Sequence, residues 1–417
     1  ASGNISGVTT LTLSDVGGTA TFAGDVDVTT LTVGNTVANV ALNGDGSTVT
    51  NTFSFANDGT LQLADATGDT LTFNGGVTTT GVGGTVTLNG TINASDDAIT
   101  LGAVTLGSNT TVDTNAASTN TADLTIGAVT GGSNTLTLST ENNIANADIT
   151  ASGAISGVTT LTLQNVGGTA TLSGDVDVTT LAVGNTVANL AFTGNGSTVT
   201  NDIDFANDGT LTLGASGGTQ TYNGGLDTSG VGSTVTLNGT IATSNDAVTF
   251  GAVTLGSATT IDTNATNTTG DLTIGAVTGG SNTLTLTTEN NIANADITAS
   301  GNISGVTTLT LTSVGGTATL SGDVDVTTLA VGNTVANLAF TGNGSTVTND
   351  IDFANDGTLT LGASGGTQTY NGGLDTSGVG STVTLNGTIA TSNDAVTFGA
   401  VTLGSATTID TNATNTT

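Results

Sequence analysis

The sequence predicts an all-β chain wound as a parallel β-solenoid (β-helix) of 20–25-residue coils. Three observations carry that prediction: short internal echoes at that spacing, strict alternation of aliphatics with Thr, and Gly/Asn turn signals between the alternating runs.

The echoes set the coil. Leu101-Gly102-Ala103-Val104-Thr105 returns 25 residues on as Ile126-Gly127-Ala128-Val129-Thr130, and the matching pair Phe250 and Ile274 stands 24 apart. Val8-Thr9-Thr10-Leu11-Thr12-Leu13 returns 20 residues on as Val28-Thr29-Thr30-Leu31-Thr32-Val33. Within a coil, runs such as Thr85-Val86-Thr87-Leu88 and Thr135-Leu136-Thr137-Leu138 put aliphatics on one face and Thr on the other, because side chains alternate along a strand. Thr and Val are β-branched and fit a pleated surface. The doubled Thr in Val28-Thr29-Thr30-Leu31 shifts the alternation by one residue and reads as a corner. Gly17-Gly18, Asn57-Asp58-Gly59, Asn74-Gly75-Gly76 and Gly131-Gly132-Ser133-Asn134 mark turns. No stretch shows a helical period. The alternative is tandem β-sandwich domains; the short echo and the absence of a core Trp argue against it. A transmembrane barrel would need an aromatic girdle that the sequence lacks.

A longer repeat overlies the coil. Ala1-Ser2-Gly3-Asn4-Ile5-Ser6-Gly7-Val8-Thr9-Thr10 recurs from Ala151, with Ala154 in place of Asn4, and again from Ala299. The repeat units are 1–150, 151–298 and a truncated 299–417, read as one continuous solenoid cut from a longer array. Copies two and three differ only at Ala154/Asn302, Gln164/Thr312 and Asn165/Ser313. Such near-identity suggests that repetition supplies length rather than a unique site.

Composition removes chemistries one at a time. The 417 residues include no Lys, Arg, His, Cys, Met, Trp or Pro, and the 32 acids are all Asp except Glu141 and Glu289. Without His, Cys or Lys there is no Ser-His-Asp or Cys-His arrangement and no Schiff base, so the expectation is a protein that is not an enzyme, with no catalytic and no cofactor-binding residues. Zinc sites draw on Cys and His, and no defined metal site is expected. With a net charge of −32 and nothing to neutralise phosphates, nucleic acid and anionic membranes are poor partners, and no nucleic-acid partner is expected. No run approaches the ~20 apolar residues of a membrane-spanning helix.

Four motifs bear on function. Ser95-Asp96-Asp97 resembles the paired acids of β-helix polysaccharide hydrolases, but copies two and three carry Asn245 and Asn393 at the first position, which favours a solvated turn. Asp25/Asp27, Asp175/Asp177 and Asp323/Asp325 place two carboxylates on one face of a strand; loosely held calcium or magnesium fits them better than a built site, because no calcium-loop motif is present. Thr-x-Thr pairs, Thr19-Ala20-Thr21 and Thr48-Val49-Thr50, suit ice binding only if they stack in register on a flat face, and unequal coil lengths argue against that. Asn-x-Ser/Thr sequons at Asn89, Asn195, Asn238, Asn343 and Asn386 follow from the abundance of those residues.

Asp148-Ile149-Thr150-Ala151-Ser152-Gly153-Ala154-Ile155-Ser156-Gly157, leading into Val158-Thr159-Thr160-Leu161-Thr162-Leu163, resembles the repeats of bacterial filamentous-haemagglutinin-like and autotransporter-type surface proteins. The run from Asp296 to Gly305 repeats its first part with Asn302 in place of Ala154. The resemblance implies a long right-handed parallel β-helix, secretion across an outer membrane, and a role in adhesion or surface coating. The expected function is therefore a structural segment of an extracellular filament, stalk or adhesin. The alternatives are a binding face for adhesion or ice and, last, a carbohydrate-active enzyme. Expected partners are other copies of the array, divalent cations, glycans or other surface polymers.

Overall fold

The computed structural model describes residues 1–117, 122–141, 144–266, 270–289 and 292–412; the end of the third copy, including Thr417, lies outside them. Among the described residues there are strands and no helix. Parallel strands stack as a β-solenoid, as the alternation and the short echoes predict, rather than as antiparallel sandwiches. The chain forms two compact units, one of residues 1–201, 205–211 and 231–233, the other of 202–204, 212–230 and 234–417.

In the first unit each coil contributes three strand segments, and each segment lies over its counterpart in the coil before. One column of inward residues runs Leu71, Ile92, Val112, Leu138, Leu163. A second runs Val40, Leu61, Val86, Val104, Val129, Ile155, Val176. The third runs Phe53, Val77, Ile99, Leu124, Ile149, Ala170, Leu190. All of these residues are buried, and each fully buried aliphatic contributes ~1.5–3 kcal/mol relative to exposure. The second unit repeats the scheme, with Val235, Val253, Val277, Ile303, Val324 in one column and Leu226, Val248, Leu272, Ile297, Ala318, Leu338 in another.

Coil length varies while register does not. From Leu71 to Leu163 the steps are 21, 20, 26 and 25 residues, yet every inward residue meets the next. The surplus leaves at corners. One lies between Ile5 and Val8, where the pairing shifts register beside Gly7 at φ +70°; the doubled Thr is a corner of constant register, with Thr29 and Thr30 both facing outward between buried Val28 and Leu31. Gly makes the tightest corners. A Cβ on Gly44 would lie 2.4 Å from the Gly24 carbonyl carbon, and one on Gly24 would lie 2.5 Å from that of Gly3, so no side chain fits there.

The core carries one coordinated polar exchange. Copy one has Leu71 and Phe73 where copies two and three have Gln220/Tyr222 and Gln368/Tyr370, all buried, with the Gln and Tyr polar tips hydrogen-bonded inside. Tyr370 Oη donates to Gln368 Oε1 at 2.9 Å, and Gln368 Nε2 donates to the carbonyls of Phe340 (2.9 Å) and Gly342 (3.3 Å). Burial pushes the Tyr370 hydroxyl far above its ordinary range, so it stays a donor. Phe340 and Phe353 pack edge-on against the same ring. Removing one partner strands the other, at a cost of ~1–3 kcal/mol for a buried unsatisfied group. Tyr370→Phe and Gln368→Leu should each lower the urea midpoint, and the double variant, which restores the copy-one pair, should recover most of the loss. Additive losses in the double variant would show that the two side chains do not act as a pair.

Candidate functional site

Outward-facing Asp and Asn stand at coil corners, where backbone N–H groups of a neighbouring coil need acceptors. Asp25, Val26 and Asp27 alternate as predicted, with Val26 buried between the two acids. Asp25 is clasped by Asn4, whose Nδ2 donates to Asp25 Oδ2 (2.8 Å) and whose Oδ1 accepts the Asp25 N–H (3.1 Å). Asp27 Oδ1 accepts the N–H of Thr48 at 3.1 Å. In the later copies Asp175 takes the N–H of Gly196 (2.8 Å), Asp177 that of Thr198 (3.1 Å), and Asp323 that of Gly344 (2.7 Å). Each of these bonds spans 21 residues, one coil. The same job falls to Asp123 and Asp148 in succession: Asp123 accepts the N–H of Asp148, and Asp148 accepts that of Thr169.

Asp96 is a corner residue as well. It adopts φ +67° and its Oδ1 accepts the Ala117 N–H at 2.7 Å. Asn245, its counterpart, has φ +75° and accepts the Thr266 N–H at the same 2.7 Å. A neutral amide performs the role unchanged, which is the solvated-turn reading of Ser95-Asp96-Asp97.

Thr-x-Thr pairs stack on one another at Thr10/Thr12 on Thr30/Thr32 and at Thr135/Thr137 on Thr160/Thr162, but the two pairs singled out in the sequence do not build double ranks. Thr19 and Thr21 lie beside Asn39 and Ala41, and Thr48 lies between Asp27 and Thr72. Single files do form, and unequal coil lengths do not break them, contrary to the sequence argument, because the corners absorb the difference. One file is Thr70, Thr91, Thr111, Thr137, Thr162, ending at Ala182; another is Thr78, Thr100, Thr125, Thr150, Thr171, ending at Ala191. Of the sequons, Asn89 is buried with its Nδ2 bonded to the Ala64 carbonyl (3.0 Å), while Asn195 and Asn343 are exposed.

A cleft that sequence reasoning missed lies in the second unit. Asp202, Asp204, Asp227 and Asp246 line it with Gly224, Gly225, Leu226, Ala247 and Thr249. Asp204 stacks directly on Asp227, as Asp352 does on Asp375, whereas copy one has Ser54 on Thr78. Partial burial and then the charges of Asp204, Asp227 and Asp246 push the Asp202 carboxyl up, against a lowering bond from a backbone N–H. Asp375 is held below its ordinary range by the Ser377 side chain and amide. Among the described residues no three acids converge closely enough to hold a metal ion. The only clue in the sequence was the 23-residue spacing of Asp204 and Asp227, which is a coil length but is indistinguishable from chance without the register.

Two outcomes follow. Ala154 stands where Asn4 and Asn302 sit, and Asn302 Oδ1 accepts the Asp323 N–H at 3.0 Å. Ala154→Asn should raise the unfolding midpoint and Asn302→Ala should lower it, each by roughly the ~0.5–1.5 kcal/mol net of one hydrogen bond; opposite signs in urea melts would refute the clasp. For Asp202 the folded carboxyl binds its proton more readily than the unfolded one, so acidification through the folded titration stabilises the fold and neutral pH carries the repulsion. Asp202→Asn should therefore stabilise at neutral pH and low salt; the gain should vanish in acid, and high salt should remove only the part that comes from the neighbouring acids. A gain that persists in acid would remove charge repulsion as its cause.

A scan against protein-family models returns no match, and neither a search of curated proteins nor one of solved structures finds a significant match.

Proposed function

We propose that the chain is a structural segment of an extracellular filament, stalk or surface adhesin, acting as a stiff repetitive rod, in keeping with its resemblance to filamentous-haemagglutinin-like repeats. One observation carries the reading: the long repeat does not hold its surface chemistry on one face. From Ile5 to its counterpart Ile155 the chain runs six coils and two further faces of the three. Asp27 accordingly lies in a file with Thr48, Thr72, Asn93 and Asp113, while its counterpart Asp177 lies in a different file with Thr105, Thr130 and Ser156. Equivalent groups thus turn around the axis from copy to copy. That suits a rod that meets neighbouring copies, cations or surface polymers from any side, and it suits a flat recognition face poorly. The Thr files favour a second reading, a face that binds an ordered surface, but they break at Ala182 and Ala191.

A rod built of nearest-neighbour coils tolerates loss of a whole repeat. Deleting residues 151–298 joins Thr150 to Ala299, which reproduces the native Thr150-Ala151 junction motif. The shortened chain should keep its β circular dichroism and lose ~30 Å of length in electron micrographs, at ~4.8 Å per coil. Collapse of the fold, or particles that are not elongated, would sink the rod.

A further inference from the structure

Asparagine followed by glycine is the dipeptide whose backbone most readily attacks its own side chain, because glycine has no Cβ to obstruct the approach. The glycine nitrogen gives up its proton and adds to the asparagine Cγ. A C–N bond forms, ammonia leaves carrying the proton, and water then opens the cyclic imide to aspartate or isoaspartate. The chain has nine Asn-Gly pairs, and the fold treats them unequally.

Six are restrained by neighbouring coils. The N–H groups of Gly196 and Gly344 donate to Asp175 and Asp323 at 2.8 and 2.7 Å. Those of Gly90, Gly239 and Gly387 donate to Ser108, Ser257 and Ser405 Oγ, each at 3.3 Å. At Asn43 it is the side chain that is held, with Oδ1 accepting from Gln62 Nε2 at 3.1 Å and a further bond to Asp65. A nitrogen already donating to a carboxylate is fixed in place and harder to deprotonate.

The remaining three are equivalent turns, Phe73-Asn74-Gly75-Gly76, Tyr222-Asn223-Gly224-Gly225 and Tyr370-Asn371-Gly372-Gly373. Each is closed by the last glycine's N–H on the aromatic residue's carbonyl, at 2.8, 3.1 and 3.1 Å. Among the described residues no acceptor is seen for the N–H of Gly75, Gly224 or Gly372, and all three asparagines are half-buried, within reach of water. Their surroundings differ in charge. Gly224 and Gly225 border the cleft of Asp202, Asp204, Asp227 and Asp246, and a Cβ at Gly373 would lie 3.0 Å from Asp350 Oδ1. Copy one has Thr52, Ser54 and Thr78 in place of the first three acids, leaving Asp97. A negative field opposes formation of the anionic nitrogen.

We propose that Asn74 is the chain's principal site of spontaneous deamidation, that Asn223 and Asn371 convert more slowly, and that the other six Asn-Gly pairs are protected by bonds to adjacent coils. The modification adds a carboxylate to a chain that has no cation to offset it. The test is incubation of the folded protein at mildly alkaline pH and low salt, followed by digestion with an elastase-like protease and mass mapping of amide-to-acid conversion. Asn74 should convert first, and the lag of Asn223 and Asn371 should shrink in high salt, where the carboxylates are screened. Asp175→Ala should bring Asn195 into the converting set while Asn343, still guarded by Asp323, stays unchanged as an internal control. Uniform conversion of all nine pairs, conversion of Asn343 ahead of Asn74, or silence of Asn195 in the Asp175→Ala variant would overturn the proposal.

Discussion

Everything in this structure depends on in-register stacking: each inward aliphatic must sit on the one a coil away, because the backbone bonds that join coils are made only when the strands lie directly over each other. The columns hold to this from Val40 to Val176 and from Phe53 to Leu190 in the first unit. Coil length is then free to vary, since extra residues can be expelled at corners where Gly lets the chain bend. Outward residues inherit the same register, so Thr files appear as a by-product of strand alternation rather than as evidence of selection for a face.

The second constraint is arithmetic. A repeat that held a whole number of coils would line up its copies on one side. This one ends two faces past a whole number, so Asp27 and Asp177 diverge although their local sequences are the same. Identity in sequence therefore does not mean identity in position, and counting repeated motifs overstates how much surface they can present together.

The fold was legible because its signals are local. Alternation in Thr135-Leu136-Thr137-Leu138 and the echo from Leu101 to Ile126 each require only a short window, and both elements formed as expected. The site was less legible because its contacts run between coils. Nothing near Asp175 announces that its carboxylate meets Gly196, or that Asp204 stands on Asp227, until the register is known. The reading of Asp25 and Asp27 as acids for loose cations overlooked their bonds to Asn4 and Thr48, whose partners lie a coil away. The 26-residue step from Val112 to Leu138 also exceeds the expected coil, since the corner between them is longer than either echo implied.

These cross-coil bonds explain how a chain with 32 acids and no cation holds a compact fold. In most proteins a carboxylate near other charges is steadied by Lys or Arg. Here the steadying partner is a backbone N–H that would otherwise lack an acceptor at a corner, so one contact answers the needs of both groups. An amide oxygen serves nearly as well, which is why Asn245 replaces Asp96 and why Asn302 can accept the Asp323 N–H. What hydrogen bonding cannot remove is repulsion between carboxylates stacked one above another, and Asp202, raised by burial and by three neighbouring acids, is where that remainder is felt. The acids are thus tolerable one per corner and become costly only where register brings them into the same cleft, as it does in the second unit and not at the Ser54–Thr78 position of the first.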